Sequence, residues 1–230
     1  MLTALFVSFS ACSSDDDEIV VKPEKTAADI EKDSIITIKI TEGNGGYTVT
    51  SANEQVAKAT VKDNAVTITA VTVGNTSITV KDKEGKTAAI TVTVFSIAKE
   101  WTAAEAKIDI AGVTSEEAKK IQADFSSYKL KTLSLKSDGK FEIKAVVAKE
   151  KEAAAGTTEE TSTGTYTYKN KTLTLTFDIE EGDENAEIKT LKIIEFTKSS
   201  LKVESDEKES YKEDYPTLTK ALVSLSFTSK

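Results

Sequence analysis

Leu133-Ser134-Leu135-Lys136-Ser137-Asp138-Gly139-Lys140-Phe141-Glu142-Ile143 is the stretch that decides the fold. Two runs alternate apolar with polar residues at a period of two, and Asp-Gly joins them. Such alternation puts one face of each strand in a core, and Asp-Gly suits the tight turn of an antiparallel hairpin. The pattern continues downstream. Gly164-Thr165-Tyr166-Thr167-Tyr168 leads through a turn at Asn170 to Leu173, Leu175 and Phe177, which alternate with threonines. Further strand-like runs lie at 188–197, 200–205 and 219–228. Residues 102–111 open the series, with Ala104, Ala106, Ile108 and Ile110 on one side. About eight antiparallel strands in a meander remove their exposed edges by closing on themselves, which predicts a barrel over 97–230.

One helix interrupts the strands. Thr114-Ser115-Glu116-Glu117 is a capping box, in which Thr114 caps and Glu117 reaches back. Ala118, Ile121 and Phe125 then fall on one helical face, opposite Lys119, Lys120 and Asp124. The stripe, with Phe125 its largest member, is expected to bury against one end of the barrel and close it.

Upstream, the period of two recurs at Ile36-Ile38-Ile40, Val66-Ile68-Ala70, Ile78-Val80 and Ile90-Val92-Val94. Turn signals separate these runs: Gly43-Asn44-Gly45-Gly46, Lys62-Asp63-Asn64, Gly74-Asn75 and Lys83-Glu84-Gly85-Lys86. They predict a small antiparallel β-sandwich over 34–96. Residues 12–33 are polar and carry Pro23, so they are read as a linker. The fold class expected for the whole chain is all-β.

Composition narrows the chemistry. The 230 residues carry a net charge of −8, which argues against nucleic acid as a partner. Histidine and arginine are absent, all 30 basic residues are lysine, and Cys12 is the single cysteine. Histidine-based triads, His or Cys metal cages and bidentate arginine clamps are therefore excluded. No metal, no cofactor and no catalytic residue is expected.

Three groups of side chains were candidates for a site. Trp101, the only tryptophan, and Tyr166 and Tyr168 on one strand face either line a binding mouth or fill the barrel. Asp178, Glu180, Glu181, Asp183, Glu184 and Glu187 crowd one loop, whose spacing differs from an EF-hand and predicts a solvated hairpin. Glu159 and Glu160 are adjacent carboxylates in a Thr- and Glu-rich stretch, 149–164, read as a loop, a poor place to fix glycosidase geometry.

The first residues read as an address. Leu2 to Phe9 is apolar but too short to span a bilayer, and small residues Ser10-Ala11 precede Cys12. No lysine precedes the apolar run, so the translation start is expected upstream of Met1. Phe9-Ser10-Ala11-Cys12 resembles a bacterial lipobox, which implies a signal peptide over 1–11 and acylation of Cys12. Ser13-Ser14-Asp15-Asp16-Asp17-Glu18 resembles the acidic export signal of Bacteroidetes surface lipoproteins. That resemblance gives Asp15, Asp16 and Asp17 the role of directing the chain to the outer face of the outer membrane.

Two further resemblances cover the rest. Ser51 to Val56-Ala57, Ala70 through Gly74 to Ile78 and Val80, and Val92-Thr93-Val94 resemble the bacterial Ig-like (type 2) family. From Trp101 onward the chain resembles lipocalin-like domains of Bacteroidetes lipoproteins. The match rests on Trp101, on Leu133 to Phe141, and on Gly164 to Tyr168 with Leu173-Thr174-Leu175. Lipocalins have glycine two residues before that tryptophan, where this chain has Lys99. They also lay an arginine over it, and this chain has none. Together these features imply a surface-anchored, non-enzymatic lipoprotein attached to the membrane by lipid. Its expected ligand is a small molecule, a glycan or a protein. An adhesion or display role through protein–protein contacts is the alternative, and an unrecognised hydrolase a weaker one.

Overall fold

A computed structural model describes residues 19–148, 157–179 and 185–229. The chain divides into two compact units, Met1–Val94 and Phe95–Lys230. Both are built of strands, as the alternation requires.

In the first unit, β1 (Lys22–Pro23), β3 (Ile35–Glu42), β6 (Ala65–Ala70) and β5 (Ala57–Lys62) form one sheet in that order. The facing sheet runs β2 (Ala27–Glu31), β8 (Thr87–Phe95), β7 (Gly74–Lys81) and β4 (Thr48–Ser51). Ile38, Val66 and Ile68 of one sheet share a core with Ile78, Ile90 and Val92 of the other. The residues expected to be linker are in part strand. β1 and β2 lie within 12–33, and Val21 and Ile30 are buried in the same core. Both are edge strands that bury a single apolar residue or two, so no alternation marks them, and Pro23 is tolerated at an edge. Asp82 fastens two loops. Its carboxylate accepts from Asn44 N at 3.2 Å, Asn44 Nδ2 at 2.8 Å, Glu84 N at 3.0 Å and Lys86 N at 2.9 Å. Burial opposes its charge, but these donors win and hold the carboxyl below the usual range.

The second unit is a closed antiparallel barrel of eight strands. β9 (Glu100–Ala111) leads through α1 (Ser115–Ser127) to β10 (Tyr128–Leu135), β11 (Lys140–Ala148), β12 (Thr157–Lys169) and β13 (Thr172–Phe177). β14 (Ile188–Phe196), β15 (Ser200–Asp206), the short α2 (Lys208–Tyr211) and β16 (Lys220–Thr228) complete it, and β16 pairs back onto β9. The turns at one end, the base, are tight. Gly139 takes φ +82° as the last residue of a three-residue turn, and Asn170 and Lys171 take +52° and +59°, as a two-residue hairpin turn demands. α1 and α2 lie at the other end. Outward positions hold charged residues such as Glu105, Lys107, Asp109, Lys144 and Lys192, all exposed.

The base half is solidly packed. Trp101, Leu133, Leu135, Phe141, Leu173, Leu175, Leu201, Val203 and Phe227 are buried together. Gly164 makes room for this packing. It sits opposite Phe141 and Phe177, whose rings meet edge-on at 5.0 Å. A Cβ on Gly164 would come within 2.1 Å of the Thr176 carbonyl oxygen.

Two expectations about the barrel need correction. Ala104 does not share a side with Ala106, Ile108 and Ile110. A bulge shifts the register between Glu105 and Ala103, so Trp101 and Ala103 below it share the inner face with Ala106, Ile108 and Ile110 above. Phe125 is not the anchor of α1 either. Ile121 is fully buried against Leu218 and Ala221, while Ala118 and Phe125 stay half-buried. The helix leans on the Tyr211–Leu218 side of the end, which turns Ile121 inward and the rest of the stripe partly outward. Ile121→Ala is expected to cost about 2–5 kcal/mol of barrel stability, and Phe125→Ala clearly less. Denaturant unfolding followed by Trp101 fluorescence checks the order, and a larger loss at Phe125 would contradict it.

Candidate functional site at the open end of the barrel

The site is set by what β9 can pair with. It pairs with β16 from Thr102 to Ala111 but with β10 only from Glu100 to Thr102. Above that point the wall between β9 and β10 is not closed by backbone bonds, and α1, joining these two strands, packs against both. Its start is fixed by the capping box. Glu117 N donates to Thr114 Oγ1 at 3.4 Å, while Thr114 N and Oγ1 reach Glu117 Oε2 at 2.8 and 2.7 Å. Those donations from Thr114 hold the Glu117 carboxyl below its ordinary range. On its far side α1 is tied by Ile121 and by Tyr211 Oη, which donates to Asp124 Oδ2 at 2.8 Å. Burial first, then that bond, pushes the Tyr211 phenol far above its ordinary range.

Because α1 is held from that side, an open groove of about 560 Å³ remains between it and the inner face of β9. Ile108, Ile110, Ala118 and Ala123 give it an apolar floor, and Ser115, Gln122 and Ser126 supply hydrogen-bonding groups. With Lys119 at its rim, the recess is shallow and open to solvent.

The inner face near this end is polar. Register places Tyr128 opposite Val147, Glu160 opposite Ala145 and Lys189 opposite Leu175, all on the side where Phe141, Ile143 and Leu175 point inward. Burial raises the Tyr128 phenol, and the carboxylates of Glu160 and Glu187 raise it further. Lys189 Nζ lies 3.8 Å from both Glu187 Oε1 and Glu207 Oε2. Among the described residues, no group of three or more His, Cys, Asp or Glu side chains is placed to hold a metal ion.

The sequence-derived candidates fall elsewhere. Trp101, Tyr166 and Tyr168 come together at the base, opposite the groove, where they fill and seal. Trp101 has no exposed surface, and its Nε1 donates to the Ile97 carbonyl at 2.9 Å. Phe196 meets Trp101, Tyr168 and Phe95 edge-on at 6.1, 6.0 and 5.2 Å. Tyr166 Oη donates to the Lys136 carbonyl at 2.9 Å and so pins the Asp138-Gly139 turn. The Lys99 ammonium lies 5.1 Å from the Trp101 ring centroid and also donates to the Lys198 carbonyl. Burial holds that ammonium below the usual lysine range.

Glu159 and Glu160 are not in a loop but on β12, and strand neighbours point to opposite faces, so they cannot act on one substrate atom. Of the acidic loop, Asp178 accepts from Thr163 Oγ1 at 2.5 Å and Glu187 faces Lys189, while Glu180, Glu181, Asp183 and Glu184 lie outside the described residues. Cys12, Asp15, Asp16 and Asp17 also lie outside them. The groove itself escaped the sequence reading. Its signal was the length of β9 against the shorter β10, which periodicity alone does not align. No described helix is long and apolar enough to cross a membrane.

Residues 43–95 match the family model of the pilus formation protein N-terminal region, which spans the first unit from the turn after β3 to the end of β8. No curated protein matches the chain. The match supports an Ig-like, secretion-related domain over those residues.

Proposed function

We propose that this chain is a lipid-anchored surface protein of the outer membrane whose barrel is a non-catalytic binding module. The observation that carries it is the division of the barrel interior, packed at the base and open beneath α1. A filled base makes a rigid mount, and the groove offers one mixed apolar and polar recess for a small molecule or glycan. Lys99, which stands where lipocalins have glycine, lies over Trp101, so the lipocalin resemblance rests on the strand motifs and the barrel topology. The absence of histidine and arginine, and the separated carboxylates, favour binding over catalysis. The lipobox-like Phe9-Ser10-Ala11-Cys12 supports the anchor, and Asp15-Asp16-Asp17 supports export to the exterior. The match to a pilus formation domain favours a second reading, in which the sandwich serves assembly or display and contacts other proteins.

Metabolic labelling with a fatty acid tests the anchor. Label is expected on the wild type and not on Cys12→Ser, and alanines at Asp15, Asp16 and Asp17 should keep the label but remove accessibility to external protease. Equal labelling of Cys12→Ser would overturn lipidation.

Thermal unfolding of the full chain, read through Trp101, tests binding against a panel of glycans and small metabolites. A ligand at a hundredfold excess over its Kd stabilises the barrel by about 2.7 kcal/mol. Ala123→Trp, which fills the groove, is expected to abolish that shift. An unchanged shift in Ala123→Trp would remove the groove from the account, and capture of proteins without any panel response would favour display.

A further inference from the structure

The barrel wall has a second break, between β14 and β15. Their register runs Lys192↔Glu204, Ile193↔Val203, Glu195↔Lys202 and Phe196↔Leu201 and then stops. Leu191 and Ser205 would be the next pair in step, followed by Thr190 and Asp206, and neither is paired. Both strands continue past this point, because β14 stays paired with β13 as far as Ile188 and β15 with β16 as far as Asp206. The gap therefore lies between two formed strands and is not a frayed end. It holds a cleft of about 310 Å³, with Lys189, Thr190, Ser205 and Glu207 among its walls.

We infer that this seam is a gate into the barrel interior, latched by side chains where backbone hydrogen bonds are missing. Lys189 on β14 faces Glu207, just past β15, at 3.8 Å. Glu207 is itself held in place, accepting from Ser205 Oγ at 2.6 Å and from Ser210 Oγ at 3.1 Å. Ser205 is buried and belongs to the wall, while Ser210 belongs to α2, so one carboxylate links the seam to the helix beside it. Directly inside the seam lies Leu191, which is buried and opposite Leu173 on the fully paired side. An ion pair at 3.8 Å with partly exposed partners is a weak fastening. The unbroken ladders that join β12 to β13 and β15 to β16 are not. The wall is thus built to part more readily here than between β13 and β14 or between β15 and β16. The gate rests on the barrel-binding proposal for its purpose, admitting or releasing what the open end holds, but its opening is measurable with no ligand present.

Thiol labelling tests it in the full chain with Cys12→Ser as background, where an introduced cysteine is the sole thiol. Leu191→Cys and Leu173→Cys sit at the same height, one strand apart, and iodoacetamide should modify Leu191→Cys roughly tenfold faster. Lys189→Met should raise the Leu191→Cys rate a further two- to fivefold, roughly, and leave Leu173→Cys unchanged. Val203→Cys, in the second formed pair below the gap on β15, replaces Leu191→Cys if that variant does not fold. Equal rates at the two positions, or a rise at both with Lys189→Met, would overturn the gate and leave the groove beneath α1 untouched.

Discussion

Closure of a sheet demands that its first strand satisfy two neighbours at once, and β9 does so unevenly. It gives β16 its length from Thr102 to Ala111 and gives β10 three residues. The bulge at Ala104 lets this happen without turning the upper half inside out. It restores Ala106, Ile108 and Ile110 to the inner face after Trp101 and Ala103. The remaining stretch of wall needs a different closing element, and α1 is the chain between the two strands concerned. Because Ile121 and the Tyr211–Asp124 bond draw α1 to the far side, a recess is left against β9. The open end follows from one strand's pairing.

The same constraint divides the interior by chemistry. At the base every strand is paired on both sides, water is excluded, and Trp101 can be buried because the Ile97 carbonyl accepts its N–H. Toward the other end the inward positions become Glu160, Ser162, Lys189 and Ser205, residues that would be costly in a dry core. Glu160 and Lys189 keep part of their surface in water, and the buried Ser205 is tolerated because its hydroxyl donates to Glu207. The polar inner face and the incomplete wall are two expressions of one fact, since strands that do not close cannot exclude solvent.

This division also explains what could be read from the residues alone. The base half was legible because burial on one face and solvent on the other produce strict alternation, as at Leu133 to Ile143 and Leu173 to Phe177. The capping box at Thr114 and Glu117 was legible because its two donors lie three residues apart in sequence. The start of β12 was not, because its inward positions, Thr158, Glu160 and Ser162, face water and carry no apolar signal. β1 and β2 were missed for a related reason, as edge strands with one or two buried residues each. The choice of Ile121 over Phe125 as anchor was hidden as well. It depends on Leu218 and Ala221, nearly a hundred positions away, and a helical wheel sees only its own helix. The candidate aromatics belong to the base, since periodicity gives a residue's face and not its height in the barrel.

Amide hydrogen exchange along β9 in the full chain tests the division most directly, because one strand crosses from the packed base to the open end. Protection is expected to be greatest around Trp101 and to fall toward Ile110, with Leu133 and Leu173 as slow as Trp101 and Tyr128 among the fast positions. Uniform protection from Trp101 to Ile110, with Tyr128 as slow as Leu133, would mean a barrel closed and dry throughout, and would contradict a binding end beneath α1.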